Sequence, residues 1–133
     1  MNLVEAVFWL TLTVYYEARG ESVEGQKNVA KVILNRASKK KWPVKNITLA
    51  RKQFSCYNDG LSSPLLFVKN IPVLIKIHAI VQEAIREWKA GDNLRGATHY
   101  YAEAGMPGGK PPYWITDMKF ITEVGGHRFY REK

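Results

Sequence analysis

The chain has a single cysteine, Cys56, among its 133 residues. No disulfide can close within it, and a zinc site built on paired cysteines is excluded. Nothing near Cys56 marks it as an activated thiolate, so it reads as an inert side chain. Histidine is nearly as sparse. His78, His99 and His127 form no helical HExxH spacing, which leaves only a through-space combination of His99, His127 and a carboxylate as a metal site. No metal and no cofactor are expected. The glycines from Gly105 to Gly109 are not followed by Lys-Ser/Thr and open no helix, so they are no phosphate cradle. RNA-binding strand motifs, zinc-finger spacings and a helix-turn-helix are all missing, which argues against a nucleic-acid partner. Long apolar runs are absent too. Residues 7–14 are interrupted by Thr11 and Thr13 and are too short to span a bilayer. They are preceded by Glu5 and by no Lys or Arg, unlike a signal peptide. The expectation is a protein made in the cytoplasm without an export signal, with no stable membrane insertion.

Acidic residues are also in deficit, with 12 Asp and Glu against 20 Lys and Arg, a net charge of +8. A surface of that sign favours an anionic partner; nucleic acid, anionic lipid and bacterial wall polymer all qualify. Between Arg36 and Lys52 the chain carries seven basic residues and no acidic one. That run suits either a solvated loop or a contact with an anionic polymer. The length fits one domain, residues 1–133, and no linker-like stretch divides it. Its hydrophobic fraction, 46%, is that of a folded globular chain.

Asn2 followed three residues later by Glu5 resembles a capping box and starts a first helix at Leu3. Val4, Val7, Phe8, Leu12 and Tyr15 follow helical spacing, and Gly20 ends the helix. Ser22 caps a second helix with Glu24 in its first turn, and Val29, Ala30, Val32, Ile33 and Ala37 form its apolar face. Trp42-Pro43 breaks that helix. A helical turn is expected around Thr48 to Arg51, followed by an irregular stretch to Asn70. From Pro72, the apolar set Val73, Ile77, Ile80, Val81, Ala84, Ile85 and Trp88 predicts a third long helix ending at Gly91. His78 on it reads as a structural or surface residue. Beyond it, residues 98–101, 120–124 and 127–130 have strand character, the last two joined through Gly125-Gly126. The sum is an α+β chain: a helical body beside a small antiparallel sheet, with a Gly/Pro-rich loop of the functional kind at 105–112.

The chemistry concentrates at Glu17, Glu21 and Glu24. Their spacing would place them on one face of an unbroken helix, where they would be ordinary solvated charges. Gly20 breaks that helix, however. Glu17 is left at the end of the first helix, where the dipole disfavours a carboxylate and Tyr15 and Tyr16 supply apolar surface. Both effects favour a protonated carboxyl, the state a general acid needs. Glu21 and Glu24 instead suit the positive N-terminus of the second helix, and Glu21 has Arg19 nearby as a partner. The competing reading from a different class is a non-catalytic basic module that binds nucleic acid or another anionic polymer. The acidic cluster is poorly suited to lie against phosphates.

Tyr16-Glu17-Ala18-Arg19-Gly20-Glu21, Glu24-Gly25-Gln26, Val29-Ala30 and Val32-Ile33-Leu34-Asn35-Arg36 resemble the cell-wall hydrolases typified by the spore cortex-lytic enzyme SleB. Gln53-Phe54-Ser55, Ala97-Thr98-His99-Tyr100 and Gly126-His127-Arg128-Phe129-Tyr130 continue the likeness in the family's order. The resemblance implies a lysozyme-like fold, of the goose-type or lytic-transglycosylase kind, with a β element flanking a glycan groove. It implies Glu17 as the catalytic acid and base acting between N-acetylmuramic acid and N-acetylglucosamine, most simply as a lytic transglycosylase that leaves 1,6-anhydro ends. A hydrolytic muramidase using the same site is the alternative. Glu21, Gln53, Ser55, Tyr100, Tyr101, Trp114 and His127 are the expected substrate contacts, with Tyr113 a further aromatic face and Phe54 a core residue. The expected partner is the peptidoglycan glycan strand, met by a monomer. Spore members of the family usually carry an export signal and a wall-binding domain. Their lack here points to a bacteriophage endolysin that reaches the wall, or the periplasm, after release from the host cytoplasm.

Overall fold

The computed structural model of the chain describes residues 2–50 and 70–133. Gln53 and Ser55, with Phe54 and Cys56, lie outside the described residues.

The first helix, α1 (Leu3–Ala18), contains no Gly or Pro, and the Asn2 side chain accepts the Glu5 backbone N–H at 3.1 Å. It contacts each of the other three helices. Its core-facing residues are Ala6, Leu10, Val14, Tyr15 and Ala18. This corrects the stripe expected from the sequence, because Val4 is 84% exposed and Phe8 44% exposed. Apolar residues occur all around α1, so periodicity alone does not choose the buried side. The small Ala6 and Ala18 let neighbouring helices approach closely.

The second helix, α2 (Val23–Lys40), starts with the Ser22 hydroxyl accepting the Gly25 N–H. It ends at Lys41, which adopts a left-handed conformation at φ 58°, just before Pro43. Its expected face is buried throughout. Helix α3 (Val44–Leu49) begins directly after Pro43, earlier than the turn expected from Thr48. Proline's fixed φ suits a helix entry, and Val44, Ile47 and Thr48 bury one short face. Helix α4 (Ile71–Lys89) is capped by the Asn70 side chain, carries Pro72 in its first turn, and buries Ile77, Val81, Ala84 and Ile85. His78 is exposed. Leu10, Val14, Ile33 and Val81 are completely buried between these helices, each worth about 1.5–3 kcal/mol relative to exposure. Among the described residues no helix is long and apolar enough to cross a membrane.

Among the described residues three strands complete the architecture: β1 (His99–Ala102), β2 (Met118–Val124) and β3 (His127–Glu132), antiparallel in the order β1-β3-β2. The β2–β3 hairpin turns through Gly125-Gly126, with Gly125 at φ +58°. Between β1 and β2, residues 103–117 run through short 3₁₀ turns.

The pairing Tyr100↔Phe129 and Ala102↔His127 puts those four residues on the sheet face that meets the helices. Val32 of α2, Ala97, Ile121 and Phe129 form the core there. The other face carries His99, Tyr101, Arg128 and Tyr130. Asn35 and Arg36 fasten sheet to helices. The Asn35 amide donates to the carbonyls of Asn93 and Ala97, both at 2.8 Å, and its oxygen accepts from the Trp88 indole. The Arg36 guanidinium donates to the Thr98 carbonyl. This pair, part of the family-like sequence block, is scaffold.

Candidate active site

Glu17 lies in the last turn of α1, half-buried, where the helix carbonyls face the junction with α2. Those carbonyls are satisfied by specific donors. The Glu21 N–H donates to the Ala18 carbonyl at 2.9 Å. The buried Gln26 side chain reaches back from α2 and donates to the Ala18 and Arg19 carbonyls, at 3.1 and 3.3 Å. Gln26 thus caps α1 from outside and fixes the backbone that carries Glu17. The sequence block containing Gln26 pointed to it without revealing this role, because the bond spans two helices.

Glu21 does not pair with Arg19, whose guanidinium lies over the Tyr15 ring at 5.0 Å. Its carboxylate instead crosses to the hairpin of the sheet, where Oε1 is 3.1 Å from Nδ1 of His127. The glycines around it approach it closely. A Cβ on Gly25 would stand 3.2 Å from the Glu21 Cβ, and one on Gly125 would stand 3.1 Å from Oε2. Glu21 is therefore a wedge between the α1–α2 junction and the β2–β3 turn.

His127 is 93% buried, since only 7% of it is exposed. The 3.1 Å approach to Glu21 is close enough for charge interaction but poorly aligned for hydrogen bonding, so Nδ1 is left without a hydrogen-bond partner. Its ring meets Tyr100 edge-on at 5.0 Å between centroids, with Phe129 beyond. Burial lowers its pKa from the ordinary imidazole value; Glu21 and then Glu17 oppose that shift without reversing it. At neutral pH His127 is uncharged, a polar ring beside two carboxyl groups. Asn28 of α2 is likewise fully buried, and neither of its side-chain polar atoms has a hydrogen-bond partner.

Glu17, Glu21, Tyr100 and His127 thus come together where the helical body meets the sheet. Tyr101 and Trp114 do not join them. Strand alternation places Tyr101 on the outer sheet face, stacked on Tyr130 at 5.9 Å, and Trp114 packs edge-on over both rings. Tyr113 is 95% exposed at the edge of that layer. His99 also lies there, 5.1 Å from the Trp114 ring, with its pKa lowered to about 4 by burial and by Arg36. His99 and His127 consequently face opposite sides of the sheet and do not share a site.

A cavity of about 550 Å³ adjoins the hairpin, lined by Gly125, Gly126, Glu103, Glu123, Met106 and Arg128 among others. None of Glu17, Glu21, Tyr100 and His127 is in its lining. A larger groove, about 620 Å³, runs between α1 and α4 beside Val4, Phe8 and Ile75. That groove is apolar and has no carboxylate in its lining. None of Glu17, Glu21, Tyr100 and His127 lines this groove.

Comparison with known proteins places the whole chain. A model of the cell wall hydrolase family matches residues 20–130. The chain is similar to the catalytic domain of the germination-specific lytic transglycosylase SleB from Bacillus anthracis. The two are 27% identical over 96% of this chain and 94% of that one, with a TM-score of 0.72. It is similarly close to the catalytic domain of the Bacillus cereus SleB protein, at 26% identity over 96% and 91% of the chains, also with a TM-score of 0.72. A search of curated protein sequences found no match. With the family model covering most of the sequence and both solved structures sharing the lysozyme-like arrangement of helices and small sheet, the chain belongs to the cell wall hydrolase family.

Proposed function

We propose that the chain is a single-domain peptidoglycan-degrading enzyme, a lytic transglycosylase with Glu17 as its one acid and base. The observation that carries this is the gathering of Glu17, Glu21, His127 and Tyr100 at the helix–sheet junction of a cell wall hydrolase fold. In this reading, Glu17 donates its proton to the oxygen linking N-acetylmuramic acid C1 to the following N-acetylglucosamine. The C1–O bond breaks and the glucosamine leaves with that proton as its hydroxyl. The Glu17 carboxylate then takes the proton of the muramic 6-hydroxyl, O6 bonds to C1, and a 1,6-anhydro ring closes. Glu17 is restored to its starting state and no water is consumed. One carboxyl serves both steps, unlike the two-carboxylate arrangement of most glycosidases.

Tyr100 is the aromatic residue best placed to meet a sugar at this junction. The charge of +8 suits a diffusible enzyme acting on an anionic wall, and it also suits a lysis enzyme of bacteriophage origin. Lysis of an inducible host should then require a membrane-permeabilising partner.

Mass spectrometry of digested peptidoglycan in ¹⁸O-labelled water tests the chemistry. Anhydro-muropeptides without label are expected. Reducing muramic ends carrying ¹⁸O would instead make the enzyme a hydrolytic muramidase using the same site.

A further inference from the structure

The basic run between Arg36 and Lys52 passes beside a cavity of about 550 Å³ lined by Asn2, Ser38, Lys41, Trp42 and Trp88, with Glu5 the one carboxylate there among the described residues. None of the four residues gathered at the helix–sheet junction lines it. The cavity lies at the C-terminal end of α2, whereas Glu21 and His127 meet at the N-terminal end, and those 18 helical residues are about 27 Å long. Local backbone chemistry sets a tryptophan at its edge. Helix α2 closes with Lys41 in the left-handed region and the Trp42 N–H donating to the Ala37 carbonyl at 3.1 Å; Pro43 then restricts Trp42 to extended conformations. The Trp42 ring is 47% exposed, and the Lys40 ammonium stands 4.8 Å from its centroid. Trp88 offers ring surface only, because its indole N–H is bonded to Asn35. Lys39 is paired with Glu132, but Lys40, Lys41 and Lys45 are exposed and have no carboxylate partner among the described residues. Left-handed backbone is costly for lysine, and glycine is the usual residue at such a helix end. An exposed ring among unpaired cations fits neither core packing nor a plain solvated face.

We propose that this cleft is a second wall-binding site, which takes a sugar ring of an anionic wall polymer on Trp42 and its phosphate or carboxylate groups on Lys40, Lys41 and Lys45. The aromatic ring supplies apolar surface for the C–H face of a sugar, and each lysine supplies a mobile point charge for an anion. Glu5 is outnumbered by these three cations, so the cleft keeps a positive field. A strand gripped here holds the enzyme on insoluble wall while cleavage proceeds at the other end of α2. The site rests on the reading of the chain as a wall-degrading enzyme and adds a place where the wall is held without being cut.

Binding is measured by co-sedimentation with insoluble bacterial cell walls, in the cold at physiological salt, and cleavage separately on short soluble glycan fragments. Trp42→Ala should weaken wall binding at least about fivefold. Its cleavage of the soluble fragments should stay within about twofold of the parent. Lys41→Gly guards against a folding artefact: glycine relieves the left-handed strain, so its melting temperature should be parental or higher, yet wall binding should weaken by about twofold. Parental wall binding in both variants would overturn the proposal. So would an equal loss on walls and on soluble fragments, which marks damage to the fold or a role at the active site. Walls stripped of phosphate polymer with hydrofluoric acid identify the anion. Binding that still depends on Trp42 assigns it to the carboxylates of peptidoglycan, and binding lost on stripping assigns it to the phosphate polymer; either sustains the site. Binding to DNA as tight as to wall, and as dependent on Trp42, would overturn the assignment to a wall polymer. Wall binding through Trp42 in a chain that cleaves no glycan would sustain the site and remove the enzymatic reading. Cleavage with parental wall binding in both variants would do the reverse.

Discussion

The two faces of the small sheet are built from the same three strands and are both rich in aromatic rings, yet they differ in what surrounds those rings. On the inner face, Tyr100 and Phe129 enclose His127, and that histidine meets the carboxylate of Glu21. On the outer face, Tyr101, Tyr130 and Trp114 pack on one another, and Arg128 nearby is paired with Glu103 and Glu123. Aromatic content alone therefore does not mark a glycan site. What distinguishes the inner face is a buried polar group held against carboxyl groups from another layer. That is a costly arrangement which packing does not require.

The largest expected effect separates the faces by chemistry. Glu17→Gln should fold with a parental melting temperature and lose about 10³-fold in wall-lytic rate, measured by the clearing of peptidoglycan suspensions. Parental activity in that variant would remove Glu17 from the mechanism. Next in size, Trp114→Ala should cost about 2–4 kcal/mol in denaturant unfolding, because Trp114 covers Tyr101 and Tyr130. Its activity per folded molecule should stay within about twofold of the parent. A large loss of activity in a fully folded Trp114→Ala would move the glycan to the outer face.

How far this contrast can be read from the sequence depends on the range of the contacts. Helices α2 and α4 follow directly from local signals: the cap at Ser22, Pro72 at the start of α4, apolar spacing, and the stops at Pro43 and Gly91. The Gly125-Gly126 hairpin is equally local. The buried side of α1 is not, since Phe8 and Leu10 are both apolar and only packing separates the exposed one from the buried one. The position of Glu17 at the end of α1 is legible from the helix break at Gly20. The partnership of Glu21 with His127 is not legible, because it is made between elements brought together only by the fold. Tyr100 and Tyr101, grouped as glycan contacts from their side-chain type, are adjacent in a strand. The alternation of a strand sends one to each face. That signal was present in the sequence.

The smallest expected effect concerns pH. His99 titrates near 4 in the folded protein, against about 6.5 when unfolded. Between those values the unfolded chain binds more protons, so stability falls as pH drops from 6.5 toward 4, and His127 contributes in the same direction. His99→Gln should therefore show a smaller fall in melting temperature between pH 7 and 4.5 than the parent. An equal fall in both would mean that the outer-face imidazole has no part in it.

The most direct test of the division between the faces is an NMR chemical-shift map of Glu17→Gln titrated with soluble peptidoglycan glycan fragments. The amide and ring signals of Tyr100, Gly125, Gly126 and His127 should move together and saturate, while those of Tyr101, Tyr130 and Trp114 stay in place. Saturable shifts concentrated at Tyr101, Tyr113 and Trp114, with the inner face silent, would contradict the assignment of the site.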